Sequence, residues 1–114
     1  MLTIEKLTAF GADVEDGLTR CMGNSSFYFM LIGKVFEDKN FALLEKALAE
    51  KDLEVAFEAA HSLKGVLGNL ALTPIYTPVY ELTELLRAKS DVDYTPYLLT
   101  IKEKKVELEA LIND

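Results

Sequence analysis

The sequence is short of the residues that build most kinds of chemical site. Its 114 residues include one cysteine, Cys21, and one histidine, His61. A lone cysteine excludes a disulfide framework within the chain. One histidine and one cysteine are too few soft ligands for a zinc cage. No metal constellation and no cofactor motif is read elsewhere. Basic residues are scarce too, with 12 Lys and Arg against 19 Asp and Glu and a net charge of −7. Nucleic-acid phosphates call for a basic face, so this balance argues against a nucleic-acid partner. Long hydrophobic runs are missing. The longest uncharged stretch, Gly65 to Tyr80, holds two glycines and two prolines and falls short of the ~20 residues of a membrane span. Met1 to Glu5 has no basic segment leading into an apolar one, so no signal peptide is expected. The chain reads as cytoplasmic, without a membrane partner. The initial Met1 and the compact length weigh toward a domain that stands alone.

Half of the residues are hydrophobic, too many for a disordered chain, and the length fits a single domain, 1–114, with one core. Apolar spacing is helical almost throughout. It predicts a short helix over Leu2 to Phe10, broken at Gly11, then an acidic connector from Gly11 to Gly23 whose structure the pattern leaves open. Asn24, Ser25 and Ser26 offer N-caps for a helix from about Ser26 to Glu37. Phe41 to Glu50 is the next helix, and Asp52 caps another over Leu53 to Leu72. Thr73-Pro74 and Thr77-Pro78 both suit a helix start, since proline lacks only an N–H with no partner there. The pattern leaves both starts open for a helix ending near Lys89. Val79, Leu82 and Leu86 are its inward residues. Thr95-Pro96 starts the last helix, with a stripe of Leu98, Ile101, Leu108 and Ile112. Lys105 falls on that stripe and is expected to snorkel at its edge. Amphipathic helices with short links mean an all-α bundle with antiparallel neighbours.

The helix from Leu53 is the informative one. Leu53, Ala56, Ala60, Leu63, Leu67 and Leu70 form a seam for a bundle core. On a helical wheel His61 lies about 130° from the centre of that seam, so it faces outward or sits at the shoulder. A lone histidine there is ordinarily an idle surface residue. Gly65 and Gly68, on the same outward side, change the balance. A glycine inside a helix costs about 1 kcal/mol relative to alanine. Close helix packing is one explanation. The other is clearance, a stripe against which another protein could press its backbone and reach the imidazole. Lys64, three residues after His61, is either a solvated lysine or a cation that offsets negative charge arriving at the ring. A neutral imidazole nitrogen is a nucleophile near pH 7.

Ala60-His61-Ser62-Leu63-Lys64-Gly65, followed by Gly68-Asn69-Leu70, resembles the signature of histidine-containing phosphotransfer (HPt) domains, Ala-His-x-Leu-Lys-Gly followed by a small residue and Asn-Leu-Gly. Val14 to Asn24 is similar to the lead-in of bacterial members. The likeness covers nearly the whole chain. It departs in two places: Ala71 stands where glycine is frequent, with little effect expected, and Val66-Leu67 where small or hydroxyl residues are common. The resemblance implies an antiparallel four-helix bundle over 40–112, with the N-terminal helices and connector of 1–39 packed on one end. It implies His61 as phosphoacceptor, Lys64 as charge support, and Gly65 and Gly68 as the clearance for a docking receiver domain. Partners would be response-regulator receiver domains and a hybrid histidine kinase. The receiver would supply the metal ion. The chain would be a monomeric phosphocarrier that turns over no free substrate and needs no cofactor.

Tyr28, Leu31, Ile32 and Val35 make an inward face for the helix after Asn24, which leaves Phe29, Met30 and Gly33 as an expected apolar extension of the docking surface. Three other readings compete. A sensor-kinase fragment would carry an acidic residue after the histidine, where Ser62 stands, and nucleotide-binding motifs that this chain lacks. A non-phosphorylated scaffold or inhibitor of the same fold would not need His61. A homodimerising structural bundle would use the glycine stripe as its seam.

Overall fold

A computed structural model describes residues 1–114. It is all-helical: α1 Ile4–Phe10, α2 Val14–Arg20, α3 Ser25–Lys34 followed by a 3₁₀ turn Val35–Glu37, α4 Asn40–Ala49, α5 Leu53–Asn69, α6 Thr73–Arg87 and α7 Thr95–Asn113. Side-chain caps set four of the starts. Thr3, Asp13, Asn24 and Asp52 each accept a hydrogen bond from the backbone N–H three residues on, which satisfies one of the donors a helix leaves free at its N-terminus. Gly11 ends α1 in the left-handed region at φ 109°, where glycine has no steric cost.

Both proline pairs lie on one helix. Pro74 occupies the first turn of α6 and Pro78 is buried inside it, so the earlier start is the real one. Leu72, not Thr73, takes the cap position, without a side-chain bond. The connector from Gly11 to Gly23 folds, seven of its residues forming α2. Ala71 sits at φ 54°. A β-carbon in the left-handed region costs about 1–2 kcal/mol, so this departure from glycine carries a strain cost that its small size concealed.

Helices α4 to α7 pack in chain order around a core that includes Leu44, Ala56, Leu63, Leu67, Val79, Leu82, Leu86, Ile101 and Leu108. Cross-helix contacts give their directions. As numbering rises along α5 from Phe57 through Lys64 to Gly68, the α6 partners fall from Arg87 through Tyr80 to Tyr76. Likewise Phe41 and Glu45 of α4 meet Lys105 and Lys102 of α7. Both pairs are therefore antiparallel. Lys105 stands 4.4 Å from the Phe41 ring centroid, its stem lying along the apolar edge as expected.

Helices α1 to α3 close one end of this bundle. Lys6 and the Met1 ammonium donate to carbonyls at 111–114. The Asp13 N–H donates to the Ala71 carbonyl at 3.0 Å, and the buried Tyr28 hydroxyl donates to the Leu70 carbonyl at 2.7 Å. The N-terminal helices thus satisfy the last carbonyls of α5 and its turn, which would otherwise be left without partners.

Candidate functional site

Helix α5 presents its seam inward as expected. Ala56, Ala60, Leu63, Leu67 and Leu70 are buried, and Leu53 is half-buried at the mouth of the bundle. His61 is exposed. Its ring stacks on Phe57, one turn earlier on the same face, with centroids 5.7 Å apart and planes 19° from parallel. The Arg87 guanidinium of α6 lies 5.0 Å from the centroid of the same Phe57 ring. Lys64, half-buried, reaches across to α6 and sits 5.7 Å from the Tyr80 ring centroid. Its ammonium, one turn along α5 from His61, is thus restrained by an aromatic face.

The two glycines of the stripe have different surroundings. A β-carbon on Gly65 would meet nothing within 4 Å, so this position is open to an approaching surface. A β-carbon on Gly68 would lie 3.1 Å from Tyr76 Cε2. Gly68 is small because Tyr76 of α6 lies over it, which is the helix-packing explanation. Only Gly65 has the clearance expected of both. Gly65→Ala should therefore raise stability by up to about 1 kcal/mol through helix propensity. Gly68→Ala should gain less, because Tyr76 must give way. Urea denaturation of the two variants reads the difference, and equal midpoints would show that Tyr76 does not crowd Gly68.

Helix α3 has the expected inward residues Tyr28, Ile32 and Val35 buried. Leu31 is only half-buried. Phe27 and Leu31 line a cleft of about 390 Å³ with Arg20 and Asn69. Leu31 and Lys34 line another of about 260 Å³ with Val66 and Asn69. Phe29, Met30 and Gly33 line neither cleft. Phe29 packs against the core, Met30 points outward from α3, and Gly33 faces open space. The two clefts, lined by Phe27, Leu31 and Val66, lie at the Asn69 end of α5. Arg20 of α2 closes the same surface, donating to the Asn69 side-chain oxygen at 3.2 Å while paired with Asp16.

The result is an all-helical bundle with one exposed histidine on α5, followed one turn later by Lys64 and Gly65. The family model for the Hpt domain matches residues 37–114. The chain belongs to that family, and its class of activity is histidine phosphotransfer in two-component signalling, carried out with receiver domains and kinases. Such domains carry a phosphoryl group and are not enzymes. No curated protein and no solved structure gives a significant match. No helix is long and apolar enough to cross a membrane.

Proposed function

We propose that His61 is the phosphoacceptor of a phosphorelay. One observation carries this: the family works through a histidine, and the matched span holds a single one, exposed on the open face of α5. In the transfer, an imidazole nitrogen attacks the phosphorus of an aspartyl phosphate on a receiver domain. The N–P bond forms as the anhydride P–O bond breaks, and the electron pair leaves with the aspartate carboxylate. The reverse step passes phosphoryl to another receiver. A kinase phosphohistidine is the other donor for loading His61.

The local chemistry supports these roles. The Lys64 ammonium offsets part of the roughly two negative charges that arrive with a phosphoryl group. Gly65 leaves room for a receiver loop. Phe27, Leu31 and Val66 supply an apolar shelf. The chain's own contribution is to position an accessible nucleophile, as a monomer occupying residues 1–114.

The test mixes purified protein with isotopically labelled phosphorylated receiver domains and follows the label over seconds to minutes. Transfer to a species that is acid-labile and alkali-stable, as a phosphoramidate is, supports the reading. Receiver binding without uptake of label would make the chain a scaffold.

A further inference from the structure

His61 is held by more than its own helix. An exposed imidazole changes rotamer on the picosecond-to-nanosecond scale, and each rotamer aims its ring nitrogens differently. Attack at phosphorus needs the nitrogen lone pair in line with the breaking P–O bond. Three side chains beyond His61 restrict that choice. The Phe57 ring lies nearly parallel to the imidazole at 5.7 Å. Phe57 is half-buried, and the Arg87 guanidinium at 5.0 Å from its centroid ties it to α6. Arg87 is held in turn by the Glu84 carboxylate, 3.2 Å from Nε. A chain of contacts thus runs from α6 to the imidazole: Glu84, Arg87, Phe57, His61.

We propose that Phe57 is a positioning residue for His61 and that Arg87 is the clamp holding Phe57 in place. The positioning role rests on His61 being the phosphoacceptor. The stack selects the imidazole rotamer before any receiver arrives, so less orientation remains to be lost at docking. Planarity matters at both contacts. A leucine at 57 keeps apolar bulk but offers no ring face. A glutamine at 87 keeps a polar planar group but no cation, and a lysine keeps the cation without the planar fork.

The experiment uses the whole chain in four forms: wild type, Phe57→Leu, Arg87→Gln and Arg87→Lys. Proton NMR of the unphosphorylated protein reads the His61 ring resonances. The rate of label uptake from a phosphorylated receiver reads function. In wild type, the Phe57 ring current displaces the His61 resonances from their free-imidazole positions. In Phe57→Leu they should return there, and uptake should slow by about threefold to tenfold, the bias one aromatic pair exerts on a rotamer population. Arg87→Gln should move both readouts part of the way, and Arg87→Lys less than Arg87→Gln. Slowed uptake with unmoved His61 resonances would make Phe57 a packing residue alone and overturn the proposal. Unmoved resonances with unchanged uptake would overturn it too. If the resonances respond but wild type takes up no label, the stack orients His61 and the phosphoacceptor role is what fails. Arg87 is an exposed residue, so its variants test the clamp even if Phe57→Leu loosens the fold.

Discussion

His61→Gln should take up no measurable phosphoryl from any receiver that loads the wild type, a loss of at least about a thousandfold. Glutamine has similar length and keeps polar atoms at the same place, but its amide nitrogen has no nucleophilic lone pair. The fold should not register the change. His61 is exposed, and its stacking on Phe57 is a surface contact. Surface substitutions of this kind stay within about 0.5 kcal/mol, about 2–3 °C in melting temperature for a chain of this size. Helical content by circular dichroism should be unchanged. The docking face is intact in the variant, so receiver affinity should stay close to wild type. This separation of binding from uptake distinguishes a carrier from a scaffold. Retained uptake in His61→Gln would remove His61 from the chemistry altogether, and the chain offers no second histidine to replace it.

The part of the site that lies on one helix was legible in the sequence, and the part assembled between helices was not. Asp52 as cap, the buried seam and the outward turn of His61 all follow from the period of a single helix. So does Lys105 at its apolar edge. The distinction between Gly65 and Gly68 does not, because it depends on the register that lays Tyr76 over one and leaves the other bare. Phe57, Tyr80 and Arg87 were overlooked for the same reason. Phe57 could have been found, since it stands four residues before His61 on the same face. For α3 the spacing identified Tyr28, Ile32 and Val35 as buried but counted Leu31, which is half-buried, among them. Which flank of α3 shares clefts with the end of α5 is set by tertiary packing, and there Phe27 and Leu31 line the clefts with Asn69. Helix α2 escaped because a short segment with an internal glycine has little helical tendency of its own. It is held by what packs on it.

That packing makes Gly17 the position where one methyl group should do the most damage to the fold. A β-carbon at Gly17 would lie 2.7 Å from Tyr28 Cε1 and closer still to the phenol oxygen. Tyr28 cannot swing away, because it is fully buried and its hydroxyl is committed to the Leu70 carbonyl. Gly17→Ala must therefore push α2 off α3 or break that hydrogen bond. Overpacking costs about 1–3 kcal/mol, and a carbonyl stripped of its donor costs a further 1–3 kcal/mol if it stays buried. The gain in helix propensity returns about 1 kcal/mol. A net loss of about 3 kcal/mol, roughly 12 °C in melting temperature, is the expected result. Removing the hydroxyl takes away the nearest crowding atom but leaves the ring in the way. Because the hydrogen bond to Leu70 can be lost only once, Gly17→Ala with Tyr28→Phe should still be less destabilised than the two single losses combined. Full additivity in urea denaturation would show that the methyl group does not act through Tyr28. Alkali offers an independent reading of the same phenol. Burial pushes its pKa up to about 12, with Cys21, Asp13 and Asp16 adding to the shift. The unfolded chain releases that proton near pH 10 while the folded chain still holds it, so stability from this group is present below pH 10 and falls as pH rises toward 12. Tyr28→Phe should lack that fall. Because Tyr28 also anchors the helix that carries Phe27 and Leu31 to the end of α5, loosening it should weaken receiver docking at temperatures where α4 to α7 remain folded.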